Sequence, residues 1–303
     1  MDQSRWGFAG TGLFGLMVLA WAGNYLFVRE GELFVAPLWL ATFRAAVGAA
    51  CVGGYLTLHR GTQSLSRAER RDALLLGLPN TAIFLGLWFT AEASVPPGEA
   101  SVLIYTFPLW VALFSPLVLR SRLGPGHWLA VGTGFLGVVL VSQPWTSGNA
   151  RPPLGPVLEL LLAAVSWAAA TVSFQRRFRP EAMLTVNGVQ LLGGAAGLAV
   201  VAALFAPVTG HWAAPALWLS IAWLGVFGTA FAYGVWFYLL GSTHAASLSA
   251  FAFLVPLLAL ALSVVLVGER VDGVQAAGVA AVLVGVYLVG RGSAAARPPP
   301  QGR

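Results

Sequence analysis

Hydrophobic positions along this chain come in long unbroken runs, set apart by short polar breaks. From Gly225 to Gly290, three apolar runs are separated only by Gly241-Ser242-Thr243-His244 and Gly268-Glu269-Arg270-Val271-Asp272. The first two are each long enough to cross ~30 Å of hydrocarbon as a helix. The third, Val274 to Val289, is at the short limit. Comparable runs fall at 8–28, 36–58, 73–91, 98–119, 127–143, 154–175, 182–205, 213–240 and 245–267. With the third run, they predict an all-α integral membrane protein of ten transmembrane helices. The longest connections, His59 to Asp72 and Ser142 to Pro153, carry the Gly, Ser, Pro and Arg expected of surface turns. The tail at 293–303 is rich in Pro, Ala and Arg and reads as disordered.

Composition agrees and excludes several chemistries. Of 303 residues, 58% are hydrophobic and only 9% charged, against about a quarter charged in a soluble domain. The net charge of +6 reads as basic loops on one side of a membrane rather than a nucleic-acid surface. All 17 basic residues are arginine. A phosphate-binding loop ending in Gly-Lys-Ser/Thr is therefore impossible, and so is a lysine Schiff base. Cys51 is the only cysteine, so no intrachain disulfide or cysteine cluster forms. Arg5 ahead of an apolar run, with Ala20-Trp21-Ala22 beyond it, imitates a signal peptide. The run from Trp6 to Val28 is long for one and reads as the first transmembrane helix.

Arginine placement gives an orientation. With ten helices, both termini share one side, which also collects Arg60, Arg67, Arg70, Arg71, Arg120, Arg122, Arg176, Arg177 and Arg179; Arg29, Arg151 and Arg270 lie opposite. The positive-inside rule then puts both termini in the cytoplasm. The chain also repeats. Pro256 follows Pro108 by 148 residues, and at that offset Ser101 meets Ser249, Leu109 meets Leu257, Ser115 meets Ser263 and Gly137-Val138 meets Gly285-Val286. Near the start of each half, Trp21-Ala22 meets Trp167-Ala168 at a similar offset. A five-helix unit implies two inverted repeats, 1–149 and 150–292, because an odd number of crossings reverses the second copy. Secondary transporters use this arrangement, with substrate bound near the midplane between the halves.

These features resemble a known family. Gly225-x-x-Gly228-Thr229-Ala230, Pro256, Gly268-Glu269-Arg270, Gly278 and Gly285-Val286 look like the second half of the drug/metabolite transporter superfamily, EamA type. Trp21-Ala22-Gly23-Asn24, Phe43-Arg44, Ala100-Ser101 and Pro108 resemble its first half. Where the repeat predicts Gly-Glu-Arg, the first half has Arg120-Ser121-Arg122, which favours a structural turn role for the glutamate. The run Leu103-Ile104-Tyr105-Thr106-Phe107-Pro108-Leu109 is similar to helix 4 of the YddG-type aromatic amino acid exporters. The resemblance implies an alternating-access exporter of neutral and aromatic amino acids in the bacterial inner membrane. It would need no cofactor or nucleic acid and work as a monomer among membrane lipids. The alternative is export of lipophilic cations or other small metabolites by the same fold. An intramembrane enzyme would need paired acids, a His cluster or a Ser/His constellation at one depth, and the pattern offers none.

Candidate substrate-binding residues cluster by type and spacing. Asn80, Phe84 and Trp88 are spaced by four and share one helix face. Tyr105 and Phe107 precede Pro108, and Phe251 and Phe253 precede Pro256. Trp167 and Tyr233 complete the aromatic set, with Trp110, Trp223 and Phe227 as weaker members. An aromatic pocket stacks a ring and holds a cation over its faces, although Trp and Tyr also collect at membrane interfaces and Phe is ordinary filler. Pro108 and Pro256 are expected inside helices, where each removes a backbone hydrogen bond and supplies a kink or gate. Asn24, Thr81, Asn187 and Gln190 are expected to bond substrate or a neighbouring helix. Arg44 could pair an acid, bind a substrate carboxylate or snorkel outward, and the structural roles rank first. No Asp, Glu or His falls mid-helix, and Glu92 and Glu99 flank a loop. That predicts movement down a gradient with little or no ion coupling.

Overall fold

The computed structural model describes residues 7–59, 63–119, 125–142, 152–243, 245, 248, 249, 252 and 254–295. Proline and a capping box start several of the helices. Pro37, Pro97 and Pro215 stand in the first turn of α2 (Pro37–Leu58), α4 (Pro97–Ile104) and α9 (Pro215–Ser242), where a missing N–H costs no helix bond. Ser66 caps α3 (Arg67–Glu92): its hydroxyl accepts from Glu69 N–H at 3.2 Å while the Glu69 carboxylate accepts from Ser66 N–H at 2.8 Å, worth about 1 kcal/mol. The remaining helices are α1 (Gly7–Gly31), α5 (Phe107–Leu119), α6 (Pro125–Ser142), α7 (Leu154–Arg177), α8 (Met183–Phe205), α10 (Leu254–Val267) and α11 (Gly273–Ala295).

Seven helical stretches are long and apolar enough to span a membrane, α4 and α5 counting as one interrupted span. Trp128–Val141, Leu254–Val267 and Gly273–Leu288 are apolar but shorter. At ~1.5 Å per residue these apolar stretches by themselves fall short of a full crossing. Ten full-length spans are therefore not shown among the described residues, and the run expected at 245–267 is continuously described only from Leu254, with 245, 248 and 249 helical before it. α11 continues to Ala295, three residues into the expected tail. The remainder of that tail and Arg120-Ser121-Arg122 lie outside the described residues.

Three of the described helices loosen into π-helical turns, at Leu78–Ile83 in α3, Trp223–Phe231 in α9 and Ser263–Val267 in α10. In α3 the cause is Pro79, which has no N–H for the regular ladder; Ser166 on α7 donates to its carbonyl at 2.6 Å. The span from Pro97 also breaks, at Tyr105-Thr106, and restarts at Phe107. Pro108 thus stands in the first turn of a helix, not in the middle of one. Its missing donor removes nothing from the ladder, and the bend lies just ahead of it. Pro256 is similarly the third residue of α10.

Glycines set the closest crossings. A Cβ at Gly137 would lie 2.6 Å from Gly278 O, and one at Gly285 would lie 2.7 Å from Ala130 O. The α6–α11 contact is therefore backbone against backbone. α2 crosses α9 where a Cβ at Gly48 would collide with the Thr229 side chain and one at Gly225 would meet Arg44 O at 3.4 Å. α8 crosses α3 in the same way: a Cβ at Gly194 would collide with the Thr81 side chain, and one at Gly77 with the Gln190 carbonyl. At one end of the bundle Arg177 pairs with Asp72 at 2.7 Å and Arg179 approaches Glu69 at 3.9 Å. An isolated β-bridge joins Val35 and Gly210 in two other connections. The glutamate of the Gly-Glu-Arg turn does more than shape that turn. Gly268 takes the left-handed conformation, φ 76°, and Glu269 reaches the start of α4, accepting from Gly98 N–H at 2.8 Å and Glu99 N–H at 3.1 Å. Ser263 also donates to it.

Candidate functional site

Aromatic side chains of α1, α3, α5, α7 and α9, with one from a helix break, close around a small central cavity. α1 contributes Trp21 and Tyr25, one turn apart; α3 contributes Phe84 and Trp88, again one turn apart. The α4–α5 break turns Ile104, Tyr105 and Phe107 inward, while α7 adds Trp167 and α9 adds Tyr233. Trp167 is the hub. Its ring lies 4.8 Å from Phe84, 5.1 Å from Tyr233, 6.0 Å from Trp21 and 6.3 Å from Phe107, mostly edge to face. Such pairs add about 0.5–1.5 kcal/mol each beyond area burial. The space left between the rings is about 20 Å³, room for roughly one water. In this conformation the cage is closed.

Among the described residues, the one charged group in the lining is Arg44 of α2. It is 0% exposed. Its Nε donates to Thr229 Oγ1 at 2.9 Å and its Nη2 to the Gly228 carbonyl at 3.3 Å. With the Asn24 amide turned to match its neighbours, Asn24 Oδ1 also accepts from Nη2 at 3.2 Å. The guanidinium carbon lies 4.9 Å from the Trp88 ring centre and 5.6 Å from that of Phe89. Nη1 has no hydrogen-bond partner among the described residues, and the same holds for two further buried donors of the lining, Trp167 Nε1 and Tyr233 Oη. Arg44 thus neither pairs a described acid nor snorkels outward.

Of the residues singled out by sequence, Phe84, Trp88, Tyr105, Phe107, Trp167 and Tyr233 come together in the cage. Asn80 does not line it; its amide donates to Gln190 Oε1 at 3.2 Å. Phe251 and Phe253 lie outside the described residues. Among the weaker candidates, Trp110 packs on Phe135 at 4.8 Å, Trp223 stacks on Phe27 at 4.7 Å and Phe227 is exposed. Trp21 and Tyr25 are lining residues that the sequence reading misses, and Arg44 is one that it ranks as structural. For Trp21 a signal exists, its repeat match with Trp167. For Arg44 the signal is only its position inside an apolar run.

Carboxylates at the helix ends are more deeply placed than their loop-flanking positions suggest. Glu92 closes α3, fully buried, with Trp88 Nε1 donating to it. Glu32, just past α1, has both carboxylate oxygens buried without a hydrogen-bond partner among the described residues. Burial pushes its pKa up to about 8, against the opposing pull of Arg29. Neither residue lines the cage.

The EamA-like transporter family profile matches residues 9–143 and again 155–291. The chain belongs to this family. Over 282 residues it is 28% identical to the uncharacterized inner membrane transporter YedA of Escherichia coli (strain K12), covering 91% of this chain and 89% of that one. Over 245 residues it is 25% identical to the uncharacterized transporter YoaV of Bacillus subtilis (strain 168), covering 80% and 84%. A riboflavin transporter of Rhizobium johnstonii is 36% identical over 129 residues, 43% of this chain and 42% of that one. A solved crystal structure superposes with a TM-score of 0.67 at 25% identity, covering 92% of this chain and 96% of its own. This EamA-family chain is thus a multi-pass membrane transporter, with the aromatic cage as its candidate substrate site.

Proposed function

We propose that this transporter exports neutral amino acids, aromatic ones included, across the bacterial inner membrane by alternating access, working as a monomer with both termini cytoplasmic. The observation that carries the reading is the closed aromatic cage around Trp167. Rings present apolar faces to a substrate ring, and a cage with room for about one water must open toward each side in turn to pass anything larger. The proposed halves are 1–149 and 150–292. Support comes from their matched contacts: Gly137 on Gly278 with Gly285 on Ala130, and Gly48 on Thr229 with Gly194 on Thr81, all at offsets near that of the two prolines. Rocking of one half on the other would open the cage where α1, α7 and α9 meet. Among the described residues no carboxylate lines the cage, which supports movement down a gradient rather than coupling to protons.

Counterflow uptake of labelled phenylalanine, threonine and methionine into proteoliposomes tests this reading. Saturable uptake by wild type, lost in Trp167→Ala, is the expected result. Failure of all three to move removes the amino-acid assignment, and uphill uptake driven by an imposed pH gradient removes the uncoupled mechanism. The partial likeness to a riboflavin transporter favours a second reading, in which the cage takes a flat heteroaromatic metabolite. Riboflavin added as competitor in the same assay separates the two.

A further inference from the structure

We infer that Arg44 is the receptor for a carboxylate on the transported substrate, so that the cage takes aromatic or apolar carboxylates and rejects the corresponding amines. The inference rests on the proposed function only for the location of the substrate site.

Arg44 is fully buried, about a third of the way along α2, and lines the cavity. A guanidinium keeps its charge even when buried, and desolvating that charge costs several kcal/mol. Among the described residues no carboxylate lies within ion-pair distance of it, and Nη1 bonds to none of them. Two other donors of the same lining, Trp167 Nε1 and Tyr233 Oη, also have no hydrogen-bond partner there. A cavity with one positive charge and three unused donors lacks only acceptors and a negative charge. A carboxylate supplies both, with lone pairs enough for several donors.

Helix pinning does not account for the charge. At the matching crossing of α8 on α3, the neutral amide of Gln190 holds Thr81 at 2.8 Å, as Arg44 holds Thr229 at 2.9 Å across α2 and α9. Both crossings use a glycine against the threonine, Gly194 in one and Gly48 in the other. A long polar side chain is all that this join requires. Of the two, only the crossing that faces the cage carries a cation. The described lining offers no anionic partner for an ammonium; a substrate amine meets ring faces and neutral tyrosine hydroxyls. The carboxylate is therefore the required group and the amine is dispensable.

The test measures binding to the purified full-length protein in detergent with three probes of similar size: 3-phenylpropionate (carboxylate only), phenylethylamine (amine only) and phenylalanine (both). Wild type is expected to bind 3-phenylpropionate and phenylalanine with similar affinity and phenylethylamine roughly tenfold or more weaker. Arg44→Gln should lose that preference, and Arg44→Lys should keep part of it. Equal binding of phenylethylamine and 3-phenylpropionate overturns the inference, and so does binding of none of the three. Since the probe series is run on wild type, the inference stands or falls even if a variant cannot be purified. Carboxylate-selective binding without phenylalanine counterflow would sink the exporter reading and leave Arg44's role standing. Counterflow without carboxylate selectivity would do the reverse.

Discussion

Two helix crossings in this protein share a glycine set against a threonine and differ in the polar side chain that joins them. Where α8 meets α3, Gln190 Oε1 accepts from Thr81 at 2.8 Å and from Asn80 at 3.2 Å, and its Nε2 donates to Asn187 at 3.1 Å. Where α2 meets α9, Arg44 holds Thr229 and the Gly228 carbonyl, which also accepts from Trp21 Nε1 at 3.2 Å. Each crossing has a glycine under its threonine and a π-helical turn alongside. In the first, Gln190 uses its whole amide inside the join, and the donor left over is a neutral Asn187 N–H away from the cage. In the second, the charged Nη1 of Arg44 has no partner among the described residues beside the cavity. The difference separates two uses of a buried polar group. One is glue between helices, spent locally; the other keeps bonding capacity in reserve for something that enters.

The contrast breaks first at Gln190→Arg. A second buried cation, with no cavity and no acid to receive it, costs several kcal/mol, so thermal unfolding in detergent should fall by about 10 °C or more at ~2–4 °C per kcal/mol. Unchanged stability would mean that the two crossings are not distinct environments. Next is Arg44→Gln, which gives the α2–α9 join the residue its twin already uses. Thermal stability should hold to within a few degrees while saturable counterflow falls roughly tenfold or more. A large loss of stability with transport intact would make Arg44 structural glue after all. A smaller effect belongs to Gln190→Leu. It removes the bonds to Thr81 and Asn80, and interhelical bonds are worth about 0.6–2 kcal/mol each in membranes. The unfolding temperature should fall while substrate affinity stays within about twofold.

The last prediction is a control outside both crossings, read against pH. Glu32 binds its proton more tightly when folded, with a pKa of about 8 against 4.5 for a free carboxyl. Between those values the unfolded chain has released a proton that the folded one keeps. Stability should therefore decline as pH rises from 4.5 toward 8 and level off above. Glu32→Gln should flatten that slope, read as unfolding temperature against pH, without altering the carboxylate-to-amine preference of the cage.

What is legible in the chain follows from the physics of each feature. Spans are legible because hydrocarbon demands about 20 apolar residues in a row, a property of composition and length alone. Membership of the EamA-like family follows from ordered motifs such as Gly225-x-x-Gly228-Thr229-Ala230 and Gly268-Glu269-Arg270. Phe84, Trp88, Tyr105, Phe107, Trp167 and Tyr233 are legible as lining because aromatics near the matched prolines and on one face of α3 point the same way. The same spacing points to Asn80, yet its face at that level turns to α8 and finds Gln190. A helical period says which residues share a side but not which neighbour that side meets.

Arg44 marks the boundary most clearly. The chain itself determined that a cation lies inside an apolar run, and that it must be satisfied, paired or solvated. Its partners, Thr229 and the Gly228 carbonyl, lie 185 and 184 residues away. Only the tertiary packing of α2 on α9 decided that none of the described acids would reach it and that its Nη1 would be left without a partner among the described residues beside the cage. The charge of a side chain is a property of the sequence. Whether that charge is used up or held open is a property of what surrounds it.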